Sequence, residues 1–215
     1  MRGTWHVSKE LGLHKTHPVI RLFSEQHGRR VRVPFPYLGD LLVLLQDEAG
    51  PYAVNLTVKD KLEDFRRPFN LLGTKTPAEQ EASAIARHNI ERLAYASAGI
   101  RTEQVAGQLI PDCLFNNLRF VHGQNWRARR FSTDQISFGL KIAEDGPRSE
   151  RSPNEIGIKI DRELGLPTGS GCAIVWHGIW TRKIRTDLYK SLLPDRPLIP
   201  ESKDVLIEYS HWFKR

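Results

Sequence analysis

Two consecutive strand patterns joined by a short turn constrain this chain more than any other feature. Gly39–Gln46 (GDLLVLLQ) is a near-continuous apolar run, the pattern of a strand buried on both faces. Asp47–Pro51 (DEAGP) is a turn cluster, and Tyr52–Lys59 (YAVNLTVK) follows as an alternating strand. Together they predict a β-hairpin with a five-residue connection. Along the second strand, Val54, Leu56 and Val58 point one way and Asn55, Thr57 and Lys59 the other. Asp40 opens the first strand, so the hairpin brings it near Thr57 and Lys59.

That juxtaposition has a chemical logic. Hydrolysis of a phosphodiester needs a hard cation held by oxygen, and a carboxylate such as Asp40 suits Mg²⁺. It also needs an activated water and neutralisation of the scissile phosphate, which a lysine at the position of Lys59 supports. Taken singly, an Asp beside Gly39 is an ordinary strand-start residue and a Lys at a strand end is ordinarily solvated. The pair at the ends of adjacent strands is the informative signal.

The rest of the chain reads as alternating elements. Val31–Phe35 begins a short strand. After a polar, Pro-containing loop, Thr76 and Pro77 open a helix running to about Ala98, with Thr76 as N-cap, Glu79 in the first turn and Gly99 as the stop. Arg101–Ile110 reads as a strand with a loop, and Pro111–Val121 as a helix. Gln124–Arg130 (QNWRARR) breaks the pattern, and Ala143–Pro153 reads as an exposed loop. Pro153–Leu164 predicts a helix capped by Ser152, with Ile156, Ile160 and Leu164 at helical spacing, and Ser170–Lys183 a further one. A boundary near residue 126 separates domain 1–125 from domain 126–215.

Charge points to a polyanionic partner without establishing one. The chain carries a formal net charge of +7. Residues 1–35 hold seven Lys/Arg against Glu10 and Glu25 alone, which suits phosphate contacts. No apolar run approaches the roughly 20 residues of a membrane span, and the first residues lack the apolar core of a signal peptide. Cys113 and Cys172 fit no zinc or redox spacing and read as buried, reduced thiols of a cytoplasmic protein. His88 and His177 read as structural, and Trp176 and Trp180 as core or a partner face.

Several of these segments, taken in order, resemble a known family. Asp40-Leu-Leu-Val, the turn, and Tyr52–Lys59 look like the nuclease core of the TnsA-type subunit of heteromeric transposases, within the PD-(D/E)xK superfamily. Ser8–Leu11 and His17–Gln26 are similar to that family's first catalytic helix and the segment after it. Ile90–Ile100, Ile110-Pro111 with Asn117-Leu118, and Gly171–Leu188 resemble later elements, the last of them the small C-terminal module.

The resemblance implies a restriction-endonuclease-like α/β fold, a mixed sheet flanked by helices, with a smaller, mainly helical, winged-helix-like domain at residues 126–215. It implies Asp40 as the main metal-binding carboxylate, Lys59 as the signature lysine, Glu10 as a helix-borne metal ligand, the Val58 carbonyl as a further ligand, and Glu91 as an auxiliary acid. Thr57 stands where the family usually carries Glu or Gln, so this centre lacks one expected charge. The implied activity is Mg²⁺-dependent cleavage at the 5′ ends of a transposon, with Mn²⁺ substituting. The implied partners are transposon-end DNA, a DDE-type transposase and an AAA+ regulator. A catalytically degenerate architectural subunit, or a stand-alone restriction or repair nuclease, are the alternatives.

Overall fold

A computed structural model describes residues 3–67 and 76–215, so part of the expected Pro-containing loop lies outside the described residues. The chain is mixed α/β and divides into two compact units, Met1–Leu109 with Tyr209–Arg215, and Ile110–Glu208.

In the first unit, helix α1 (Thr4–Glu10) leads into an antiparallel ribbon of β1 (Val19–Ser24) and β2 (Arg29–Pro34). A separate sheet follows, in the order β3 (Leu41–Asp47), β4 (Gly50–Lys59), β5 (Arg101–Ala106). β3 and β4 form the expected hairpin, but its connection is tighter than the turn cluster suggests. Asp47 pairs with Gly50, leaving only Glu48 and Ala49 at the tip, and Gly50 takes a φ of 107°. A positive φ of that kind is open to glycine at little cost. β5 runs parallel to β4, and a parallel neighbour requires a crossover. Helix α2 (Pro77–Ala96) supplies it, opening on the Thr76 N-cap with Glu79 completing the capping box.

β3 corrects the expectation of a strand buried on both faces. It is the outer strand of its sheet, and Leu44 is 80% exposed, with Leu41 and Leu42 about half exposed. The strand buried on both faces is β4, where Val54, Asn55, Leu56 and Thr57 are all buried. The core beneath α2 joins Ile90 and Ala94 to Val7 of α1, with Leu13, Tyr37 and Leu93 packed around them. The chain's last residues close this unit. The Arg101 guanidinium donates to the carbonyls of His211, Trp212 and Lys214, Tyr52 donates to Phe213 O at 2.7 Å, and Arg215 pairs with Asp47.

The second unit is helical: α3 (Asp112–Asn125), α4 (Thr133–Ala143), α5 (Pro153–Leu164), α6 (Gly171–Trp180) and the short α7 (Val205–Glu208). It begins at residue 110, not near 126, because α3 packs against α6 and Asn117 ties it down. The Asn117 amide donates to the carbonyls of Leu188 (2.9 Å) and Lys190 (2.7 Å) and accepts from Leu192 N–H. The boundary also differs at its far end, since Tyr209–Arg215 belong to the first unit. Among the described residues a β wing is reduced to one isolated bridge, Thr186 with Pro200. α5 has the expected limits and Ser152 cap, with Ile156 and Ile160 buried. The stretch from Ala143 is only partly exposed, because Ala143, Gly146 and Pro147 are buried. Both cysteines are free thiols, half-buried instead of buried. No helix among the described residues is long and apolar enough to cross a membrane.

Candidate active site

The hairpin register carries Asp40 to the end of β4. Leu41 pairs with Leu56, so Asp40 enters the strand beside Thr57. Its Oδ2 accepts the Val58 N–H at 2.8 Å, which fixes the carboxylate next to Lys59. Gly39 makes this approach possible. A Cβ there would stand 1.7 Å from Asn55 Oδ1, so no larger residue fits without displacing that side chain. Lys59 is half-buried and makes no ion pair among the described residues. It lines a cleft of about 790 Å³ with Tyr37, Arg87 and His88.

Glu91 lies beneath this face, 1% exposed on α2. Its Oε1 accepts from the Thr57 hydroxyl at 2.7 Å and from Asn55 Nδ2 at 2.9 Å. The two polar side chains that alternate with Lys59 along β4 therefore converge on one buried carboxylate. Arg87, one helical turn before Glu91, stacks instead over the Tyr37 ring with its Cζ 5.5 Å from the centroid. A buried carboxylate held by neutral donors is costly to disturb, because removing it strands both donors. Glu91→Ala is expected to lower the stability of the first unit by about 3 kcal/mol in urea unfolding. Glu91→Gln, which keeps an acceptor for Thr57, should cost less than half of that, and equal losses would refute this account.

The structure brings together Asp40, Thr57, Val58, Lys59 and Glu91. It also places beside them His88, expected to be structural, and Asn55, expected only to share the face of Thr57 and Lys59. His88 sits within the fields of Glu91, Arg87, Lys59 and Asp40, and its Nδ1 is buried without a partner. Burial holds its imidazole below the ordinary value, Arg87 and Lys59 add to this, and Glu91 and Asp40 oppose it. The signal for His88 was its position three residues before Glu91, on the same helical face. Asn55 was marked by sharing a strand face with Thr57 and Lys59. Glu10 ends α1 on its exposed side, and that helix meets α2 through Val7.

The metal question turns on the donors. Among the described residues no group of three or more His, Cys, Asp or Glu is placed to hold a metal ion. Mg²⁺ asks for less, since it commonly takes one or two carboxylates and keeps several waters. Asp40 offers such a carboxylate, and Asn55 Oδ1 is a buried oxygen without a partner beside Gly39. These hard oxygen donors fit a Mg²⁺-type ion and do not suit a soft metal.

The half-buried imidazoles also set a pH dependence. Burial lowers His177 as well, its Nδ1 lying 2.8 Å from Asn125 Oδ1. With folded values below unfolded ones, the unfolded chain binds more protons, so stability rises with pH. The contribution of each ring is full above the unfolded value near pH 6.5 and is lost as pH falls towards the folded one. Thermal unfolding should show Tm falling between about pH 7 and pH 5, and His88→Gln should flatten that slope.

In the second unit, Gln124 and Asn125 end α3, and Trp126–Arg130 continues it as a 3-10 helix. Ala128 is its buried anchor, and Trp126 is 61% exposed beside a cleft of about 500 Å³ lined by Arg127, Arg129 and Arg130. Trp176 is buried against Phe120, while Trp180 is 39% exposed with His122 at its edge. No protein-family model matches the chain, and no characterised protein matches it by sequence.

Proposed function

We propose that the first unit is a phosphodiester-hydrolysing centre of the restriction-endonuclease-like kind, and that the chain is the DNA-nicking subunit of a heteromeric transposase. The observation that carries this is the hydrogen bond from Val58 N–H to Asp40, which sets a carboxylate beside an uncommitted lysine at the mouth of a cleft. The order of elements supports it: a helix, an antiparallel hairpin bearing both residues, a crossover helix and a parallel third strand. The partners that follow from the resemblance are transposon-end DNA, a DDE-type transposase and an AAA+ regulator.

In this reading Asp40 would hold Mg²⁺, with Glu10 and the Val58 carbonyl as further candidate ligands. Held there, Mg²⁺ would supply Lewis-acid charge for the phosphate and for activating water. Lys59 contributes a positive charge against the scissile phosphate, in a half-buried position where charge is less screened than at the surface. The Thr57 hydroxyl donates its hydrogen bond to Glu91, so its oxygen faces other groups only as an acceptor. That oxygen can orient a water but cannot supply the missing carboxylate charge. Glu91 is the acid nearest to that vacated role, one hydrogen bond behind Thr57.

The test is cleavage of supercoiled DNA carrying the transposon ends, with Mg²⁺ or Mn²⁺, by the protein alone and with its transposase partner. Nicked product confined to the assembled mixture supports the subunit reading, and nicking by the isolated chain supports a stand-alone nuclease. No cleavage in any mixture, together with no Mn²⁺ binding by calorimetry, would leave an architectural role.

A further inference from the structure

We infer that the β1–β2 ribbon is a DNA-binding arm, holding the phosphate backbone on one face through Arg21, Arg30 and Arg32 around Phe23. The inference takes nucleic acid as the occupant from the nuclease reading above, and the rest of it from the ribbon's register. Arg21 stands directly opposite Arg32, and Phe23 directly opposite Arg30. Opposed residues of an antiparallel pair share a face, as do residues two apart on one strand. Three guanidiniums and one phenyl ring therefore occupy a single face, and Ile20, Leu22, Val31 and Val33 the other, with Ser24 and Arg29 at its tip end.

The basic face is the more exposed one, although Leu22 on the other face is 48% exposed. All three arginines are exposed and Phe23 is 66% exposed. No ion pair or other interaction engages these arginines among the described residues. The single acidic residue between Val19 and Pro34 is Glu25, which lies in the turn beyond both strands. Like charges placed directly opposite destabilise a strand pair, and a two-stranded ribbon is marginal by itself. The Arg21–Arg32 pairing is thus unfavourable in the free protein and is relieved when phosphates neutralise it.

The ribbon's root is tied to the body of the first unit. Phe35 N–H donates to Pro18 O at 2.9 Å, and buried His17 bridges the Pro18 carbonyl and the Thr4 hydroxyl at 3.1 Å each. Thr4 Oγ1 also accepts from Tyr37 N–H. A two-stranded ribbon has the width to lie along or enter a DNA major groove. An exposed ring among cations suits a sugar or base edge between the phosphates.

The test uses the full chain and a fluorescein-labelled blunt duplex of about 20 base pairs, titrated across salt concentrations. The triple variant Arg21→Gln, Arg30→Gln, Arg32→Gln is expected to lower the slope of log K against log salt by about 3 and to weaken binding on the order of a hundredfold near 0.1 M salt. The corresponding triple lysine variant should keep the slope, which separates lost charge from lost folding. Phe23→Ser should weaken binding several-fold at unchanged slope. An unaltered slope in the glutamine variant overturns the proposal. Its failure is distinct from failure of the nuclease reading. If Lys59→Ala abolishes nicking while the glutamine variant keeps its slope, only the arm is wrong. If no DNA is cut but the slope falls as stated, the arm stands without the nuclease.

Discussion

Replacing Lys59 with alanine is expected to reduce nicking of transposon-end DNA by on the order of a thousandfold, with folding and DNA affinity nearly unchanged. Lys59 makes no ion pair that the substitution would break, and its strand is held by neighbours on both sides. Stability should therefore move by no more than about 0.5 kcal/mol. Asp40→Ala is expected to be equally inactive. It also removes the acceptor for Val58 N–H, but that amide lies on an exposed strand end where water can replace the carboxylate. Its thermodynamic cost should stay near 1 kcal/mol. The measurement is single-turnover cleavage in the assembled complex, alongside urea unfolding and duplex binding of each variant. Full nicking by both variants would remove the site assignment, whereas inactivity with unfolding would leave it undecided between fold and chemistry. Asp40→Asn resolves that case, since it keeps an oxygen acceptor for Val58 and discards the charge.

The legible parts of this site and fold share a cause: they rest on local chemistry. Alternation along Tyr52–Lys59 predicted which side chains of β4 share a face, and Thr76-Pro77-x-Glu79 and Ser152-Pro153-x-Glu155 marked two helix starts by their capping groups. Ser132-x-x-Gln135 caps α4 in the same way, so that helix carried a readable signal in a stretch to which the pattern assigned no element. What was not legible depends on distant neighbours. The leucines of β3 looked like the core of a sheet, yet apolar content does not say whether another strand or helix covers it. Glu91 stands one helical turn after Arg87, at the spacing of an ion pair. Its actual partners, Asn55 and Thr57, lie on β4, 36 and 34 residues away, and only the packing of α2 on the sheet joins them. The return of Tyr209–Arg215 to the first unit is of the same type, since its anchors are backbone carbonyls that no residue pattern announces.

Helix packing in the second unit gives a large expected loss of stability from one added methyl group. α5 and α6 approach so closely that a Cβ on Gly171 would lie 2.3 Å from Gly157 O and 2.8 Å from Ile160 Cβ. A Cβ on Gly157 would meet the backbone N of Cys172 at 2.8 Å and its Cα at 3.1 Å. These are backbone atoms and a β-branched carbon, so no side-chain rotation removes the overlap. Moving the helices apart would also pull α6 from Asp161, whose carboxylate accepts from Gly169 N–H at 2.7 Å and Gly171 N–H at 2.5 Å. Those bonds satisfy amides at the start of α6 and place negative charge at its positive end. Gly171→Ala and Gly157→Ala are each expected to destabilise the second unit by about 3 kcal/mol, overcoming the usual gain of alanine in a helix. For a unit of this size that is a fall in Tm of more than about 10 °C. Gly123, within α3, has nothing within 4 Å of its would-be Cβ, so Gly123→Ala should instead stabilise the unit by up to about 1 kcal/mol. Opposite signs at Gly171 and Gly123 are the decisive pattern in calorimetry. Matching small gains at both positions would mean that α5 and α6 do not touch through their glycines.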